Sequence, residues 1–211
     1  MDTKHKIIRV SFELFLEKGF SEVSTNDIIR EAGITKGGFY HYFKSKEDLI
    51  AEVIEKFICP FFKTPIDYIT EKLKKENFGD IKEKLKYCYT TIPEIEAGEE
   101  FGEIGMVDFR NFHLLMFEGM KKYDYLARIR CDYSRKRRKL IEDILEEGKR
   151  EGIISEQVDS KAYATTMSAL RDGMISLSIL DESIDAKEKC RLTFEKIWNE
   201  IKAVSCERGG V

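Results

Sequence analysis

Two helix-capping patterns on either side of one glycine constrain the fold of this chain more than any other feature. Ser24 and Asp27 form an S-x-x-D capping box, in which each side chain satisfies a free backbone N–H of the other residue. Gly33 supplies the left-handed residue that ends this first helix, and Thr35 can cap a second one. The segment 24–49 is therefore predicted to contain two short helices joined by a tight turn, with a third capped helix after them.

Two short helices at a tight turn form a helix-turn-helix, whose second helix can enter a DNA groove. DNA bases and phosphates are bound by hydrogen-bond donors and by backbone that no side chain covers. Both are available on the second helix, which carries Lys36, Gly37, Gly38, Tyr40 and His41. The alternative is a purely structural helical hairpin whose aromatic residues Tyr40, Tyr42 and Phe43 fill a core.

This segment resembles the TetR family of bacterial and archaeal transcriptional regulators. The resemblance continues upstream, where the family's first helix and the turn after it are similar to Ile7, Ile8, Ser11, Phe12, Phe15 and Glu17-Lys18-Gly19-Phe20. Gly38 and Phe39 depart from the commonest family pattern, which has a small β-branched or hydroxyl residue and then leucine. Past about residue 58 the resemblance is one of architecture alone.

The resemblance implies an all-α fold with two domains. Residues 1–58 are expected to be the helix-turn-helix domain with its connecting helix, and residues 59–211 a larger helical domain for effector binding and dimerisation. Within the motif we expect base edges to be contacted by Lys36, Gly37, Gly38 and His41, and phosphates by Thr25, Thr35, Tyr40, Lys44 and Lys46.

The resemblance also implies a function. Such a protein is a transcriptional regulator, more often a repressor, which binds a palindromic double-stranded DNA operator and is released by a small-molecule effector. A homodimer is required physically as well, because one recognition helix contacts few base pairs whereas two related by a dyad combine their affinities. The rival interpretation is a helical ligand-binding or scaffold dimer without DNA binding.

The charge of the chain does not by itself suggest a nucleic-acid partner. The net charge is −3, and residues 1–58 carry nine Lys or Arg against ten Asp or Glu. A local surface must therefore attract DNA, and Lys36, Lys44 and Lys46 beside His41 can form it.

The remaining sequence predicts helices throughout, because only three prolines occur and strand-like alternation is scarce. The connecting helix is expected to end near Cys59-Pro60. Further helices are expected at about 66–75, 81–92, 104–120, 126–152, 160–180 and 186–204, with a mobile acidic connection at 93–105.

Two surfaces of these helices have a predicted role. The stripe Tyr163, Met167, Leu170, Met174 and Leu177 repeats at spacings of 4, 3, 4 and 3 and seeks a partner helix. By resemblance, this helix and the last one form a four-helix dimer interface. The basic run 135–139 is interpreted as a solvated or dimer-edge face paired with acidic residues of its own helix.

An unusually aromatic region follows the connecting helix. Rings and methionines line adaptable apolar pockets, so an apolar or aromatic effector is predicted to bind among Phe61, Phe62, Phe109, His113, Phe117 and Tyr133. The alternative for each of these residues is that it fills the core.

Several protein classes find no support in the sequence. The three histidines belong to no metal, nucleophile–base or phosphate-loop motif, so neither an enzyme nor a cofactor or metal site is predicted. The five scattered cysteines fit reduced, mostly buried thiols, with a redox or metal sensor as the alternative. The lack of a long apolar run or signal peptide predicts a cytoplasmic protein.

Overall fold

The computed structural model describes residues 2–75, 78–91 and 109–203, without the side chains of 61–65, 68 and 109. The prediction of an all-α fold is confirmed. The helices are α1 (Thr3–Glu22), α2 (Thr25–Ala32), α3 (Lys36–Tyr42), α4 (Lys46–Val53), α5 (Cys59–Lys75), α6 (Ile81–Thr90), α7 (Phe109–Lys122), α8 (Asp124–Arg150), α9 (Ser160–Leu180) and α10 (Ala186–Ile201). Within these ranges no helix is long and apolar enough to cross a membrane.

The helix-turn-helix forms as its capping residues predict. The Ser24 N–H donates to the Asp27 carboxylate at 3.0 Å, and the Asp27 N–H donates back to the Ser24 hydroxyl at 3.2 Å. Gly33 ends α2 in the left-handed conformation, with φ 63° and ψ 39°. The Thr35 hydroxyl accepts from the N–H of Gly38 at 3.0 Å and so caps α3.

Clustering of contacts divides the chain into two compact units. Unit 1 comprises Met1–Pro65 and Pro93–Asp132, and unit 2 comprises Ile66–Ile92 and Tyr133–Val211. In unit 1, α1 packs on α2, α4 and α7. The Phe12 and Phe57 rings stack with centroids 4.8 Å apart in its core. The predicted domain boundary at residue 58 stays a prediction.

The core of unit 2 is apolar and draws on α6, α9 and α10 together with parts of α5 and α8. Its fully buried members include Leu85, Met167 and Phe194. A backbone hydrogen bond holds the end of the last helix, because the Ser155 N–H donates to the Ile201 oxygen at 2.9 Å. This bond holds the turn after α8 against the end of α10.

The predicted end of the connecting helix near Cys59-Pro60 is wrong. After α4 the chain continues through a π-helical turn, Ile54–Ile58, directly into α5. The Cys59 N–H donates to the Ile54 oxygen, five residues back. Pro60 then lies in the first turn of α5, where its missing N–H is tolerated. Pro60 consequently does not end the helical path that begins at α4.

The interpretation of the basic run 135–139 as a solvated face needs one correction. Lys139 pairs with Glu142 at 3.2 Å and with Asp143 at 2.8 Å, as predicted. Arg137, however, is only 3% exposed and donates into the core of unit 2. It lies two positions from Lys139, which turns it towards another side of the helix.

The other sequence expectations divide between described and undescribed residues. The predicted helix 160–180 is confirmed residue for residue as α9, and the final helix ends at Ile201. Cys59, Cys88 and Cys190 are buried thiols, whereas Cys131 is exposed. The predicted acidic connection 93–105 and the fifth cysteine lie outside the described residues.

We predict that Gly33→Ala destabilises the protein by about 1 to 2 kcal/mol, because an L side chain at a left-handed φ clashes with its own backbone. Gly33→Asn should cost less, since asparagine enters this region more readily. Urea unfolding of both variants measures the difference. Equal stability of the alanine variant and the wild type would contradict the prediction.

Candidate nucleic-acid interface

The candidate DNA-reading helix α3 has one buried face and one exposed face. Phe39 and Phe43 are 0% and 1% exposed and pack into the core of unit 1. Tyr40, in contrast, is 50% exposed, and Lys36 and His41 are exposed as well. The alternative interpretation placed Tyr40, Tyr42 and Phe43 in a core. Of these three residues only Phe43 is fully buried, so a core position of Tyr40 is excluded.

The positive charges beside α3 are available to a partner. Within the described residues, the ammonium groups of Lys36 and Lys44 make no hydrogen bond or ion pair. Arg30 on α2, by comparison, already pairs with Asp27 at 2.6 Å. Unpaired lysines on a convex helical face attract phosphates without first breaking an internal ion pair.

The two glycines at the start of α3 are not required by the packing of the protein. A Cβ on Gly37 would meet nothing closer than the Thr35 hydroxyl at 3.9 Å, and one on Gly38 would come within 3.3 Å of the same atom. Glycine costs a helix up to about 1 kcal/mol relative to alanine. Packing within the protein does not explain why glycine occurs at position 37. We expect that glycine lets a DNA backbone or base approach the helix closely there.

Thr25, Thr35 and Lys46 also have roles inside the domain. Thr25 is half-buried at the first residue of α2, and Thr35 is occupied as a helix cap. The Lys46 ammonium donates to the carbonyl oxygen of Phe20 at 2.6 Å. Burial and the nearby Lys122 lower the pKa of Lys46. The phosphate contacts of Thr25, Thr35 and Lys46 stay predictions.

Sequence reasoning missed Glu118, which links α7 to the end of α1. Its carboxylate accepts from the N–H groups of Phe20 and Ser21, both at 2.8 Å, and lies 3.7 Å from the Lys122 ammonium. Burial disfavours the charged carboxylate, but the bonds from Ser21 and Phe20 outweigh burial, so the pKa of Glu118 lies below its ordinary value. No local pattern marks a lone glutamate in a helix as a partner of residues almost a hundred positions away.

The predicted effector residues are brought together only in part. His113 and Phe117 lie one turn apart on α7, where His113 is half-buried and Phe117 is 57% exposed. Tyr133 belongs to unit 2 and is buried against Arg137. The side chains of Phe61, Phe62 and Phe109 lie outside the described residues. An effector site among these six residues therefore stays a prediction.

An all-α chain with a capped helix-turn-helix and an exposed, lysine-bearing second helix has the architecture of a DNA-binding regulator. Residues 7–53 match the model of the family described as bacterial regulatory proteins, tetR family. Residues 7–53 are thus similar to the amino-terminal domain of the TetR family, as the sequence motif suggested.

Individual relatives agree with this assignment. The uncharacterised transcriptional regulator YerO of Bacillus subtilis is 44% identical over 57 residues, covering 27% of this chain and 20% of YerO. The transcriptional regulator QacR of Staphylococcus aureus is 37% identical over 93 residues, covering 42% of this chain and 50% of QacR. The chain thus spans half or less of the length of these relatives. Their names agree with the expectation of a regulator and not an enzyme.

A solved structure supports the fold over nearly the whole chain. A transcriptional regulator from Saccharomonospora viridis, solved in complex with choline, superposes with a TM-score of 0.68 at 19% identity. The superposition covers 95% of this chain and 98% of that one. At this identity the likeness concerns the fold alone.

The capping box makes the stability of the DNA-reading head depend on pH. Hydrogen bonds from the Ser24 side chain and backbone, with Arg30, lower the pKa of Asp27 from 3.8 to about 2. A depressed carboxyl pKa contributes stability that is present above its unfolded value and is lost as the pH falls towards its folded value. We expect the wild type to lose more stability than Asp27→Asn between pH 3.8 and about 2.

Urea unfolding over this pH range measures the loss. Ser24→Ala, which removes the first hydrogen-bond donor to Asp27, should show a smaller pH dependence than the wild type. The same pH dependence in all three proteins would mean that this capping box carries no linked proton.

Proposed function

We propose that this protein is a ligand-responsive transcriptional regulator, a repressor, which binds a palindromic DNA operator as a homodimer in the cytoplasm. The observation that carries the proposal is the division of α3. Its aromatic anchors are buried, while Lys36, Tyr40 and His41 are exposed. An exposed basic helix after a helix-turn-helix turn is the geometry that reads a major groove.

The surface of unit 2 supports the homodimer. On α9, Leu170, Leu177 and Leu180 are all exposed, and Leu192 on α10 is exposed as well. Of the predicted stripe, Met167 is buried in the core of its own chain and the half-buried Tyr163 and Met174 pack against that core, which leaves Leu170 and Leu177 for a partner. Exposed leucines on two helices match the proposed four-helix contact between two copies.

The effector part of the proposal follows from α7. This helix carries His113 and Phe117 and, at the next position, Glu118, which holds the end of α1. A ligand that displaces α7 would act on α1, and α1 in turn packs against α2 and α4. The S. viridis neighbour was solved with choline, which shows that a protein of this fold can hold a small molecule. To release DNA, the effector must bind the non-DNA-binding arrangement more tightly.

We predict different effects for the exposed and the internally bonded lysines. Lys44→Ala should weaken binding to all DNA sequences about equally and lower the salt slope by about one unit. Lys36→Ala should in addition relax the base preference. Gly37→Ala should keep or raise the stability of the protein and still weaken operator binding, because the added methyl group meets only DNA.

Mobility shift and salt titrations with genomic fragments measure these effects. Lys46→Ala serves as a comparison, since its ammonium is already bonded to Phe20. If the wild type retards no specific fragment and yields no palindromic footprint, the rival scaffold function is favoured.

The dimer has its own test. Leu177→Asp removes apolar burial worth about 1.5 to 3 kcal/mol and places a charge at the proposed contact. We expect dissociation to increase at least about tenfold in light scattering or sedimentation. The matched control is Leu114→Asp on α7, because Leu114 is 52% exposed and Leu177 48%. A similar shift in both variants would argue against α9 as the interface.

A further inference from the structure

Two arginines are buried side by side in unit 2, at the end of α6. Arg137 of α8 is 3% exposed and Arg171 of α9 is 2% exposed. Both donate to the same atom, the carbonyl oxygen of Thr91, at 3.1 Å and 3.2 Å. Arg137 also donates to the Tyr89 oxygen at 3.2 Å, to the Cys88 oxygen and to the Tyr133 hydroxyl at 3.2 Å. We call these two side chains the arginine pair.

The charge of the arginine pair is compensated only in part. Among the described residues, its single carboxylate partner is Asp172, which is partly exposed and lies 3.3 Å from Arg171. The carbonyl end of α6 adds roughly half a negative charge. Within the described part of the chain, two guanidinium charges therefore face about one and a half negative charges, and the charge of Asp172 is shared with solvent.

The thiols of Cys88 and Cys190 and the phenol of Tyr89 do not supply the missing charge. Burial raises the pKa of the Cys88 thiol to about 12 and also raises that of Cys190. The pKa of the Tyr89 hydroxyl is likewise raised by burial. All three groups are neutral at physiological pH, so the described residues leave the arginine pair with a net positive charge.

Unpartnered donors mark the same place. Within the described residues, three buried polar atoms near the pair have no hydrogen-bond partner: the Nε atoms of Arg137 and Arg171 and the hydroxyl of Tyr89. Burial and the charge of Arg137 lower the pKa of Arg171 to about 10. A buried donor without an acceptor is rare in folded proteins and calls for an explanation.

We propose that the arginine pair binds the carboxylate group of a small organic acid. A carboxylate accepts two parallel hydrogen bonds from a guanidinium and carries one negative charge, which offsets the positive charge that the described residues leave on the pair. A doubly charged phosphate would overcompensate the pair. The ring of the buried Phe194 lies 6.1 Å from that of Tyr89, so we expect the rest of the acid to be apolar. Only the effector role of this acid rests on the proposed function.

The test uses the full-length protein without DNA. Sodium formate, acetate, hexanoate and benzoate are compared with their neutral amides at constant ionic strength, by thermal shift and calorimetry. Acids should raise the melting temperature and amides should not. Formate and acetate are included because they present the carboxylate with the smallest apolar part.

Substitution of one arginine supplies the second arm. Arg171→Met should abolish the response to acids, and the free variant should melt at the same or a higher temperature, since Arg137 still donates to Thr91. Arg191→Met, which breaks an exposed pair with Glu188, is the matched control and should keep the response. Arg171→Lys keeps the charge but loses the planar fork, and should weaken binding at least about tenfold.

Three results would overturn the proposal. One is a lack of stabilisation by any acid from formate to benzoate. Another is equal stabilisation by inorganic phosphate or chloride. The third is a lower melting temperature of Arg171→Met than of Arg191→Met, which would mean that a carboxylate of the chain itself already neutralises the pair. Operator binding by the ligand-free wild type, measured separately, tells failure of this proposal from failure of the proposed function.

Discussion

The backbone of Phe20 fixes three helices of unit 1 in relation to one another. Its N–H donates to the Glu118 carboxylate on α7 at 2.8 Å, and its carbonyl oxygen accepts from the Lys46 ammonium at the start of α4 at 2.6 Å. Hydrogen bonds to charged groups are about twice as strong as neutral ones. Because α1 also packs on α2, the helix before the turn is held in the same frame. A shift of α7 must therefore be transmitted to the helix-turn-helix or break these bonds.

Within this frame α3 is held by packing and not by its own helical propensity. It has seven residues, two of which are glycines at its first turn, and isolated helices of this length are not stable in water. Phe39 and Phe43 anchor it by burying their rings completely. The opposite face of α3 is exposed, so its residue types can be determined by the molecule that the helix binds. Lys36 and Gly37 are the residues for which the fold offers no other reason.

Unit 2 combines an ordinary apolar core with one costly feature. Buried charges are stable only when they are paired. Among the described residues, Arg137 and Arg171 share the carbonyl oxygen of Thr91 at the end of α6, and only Arg171 has a carboxylate partner. The apolar residues around them explain why the unit folds. They do not explain why two arginines lie where leucine or methionine would cost less. A function for the positive charge is the simplest account of its presence.

The sequence by itself determined the features whose causes are local. Ser24, Asp27, Gly33 and Thr35 act on backbone groups within three or four residues, so their capping pattern was sufficient to predict α2, the turn and α3. The family resemblance added the all-α architecture. Tertiary structure decided the rest, because a helical sequence does not reveal which distant group faces a given side chain. It buried Arg137 out of a basic run, joined Glu118 to the end of α1, and let the helix continue past Pro60 through a π-helical turn.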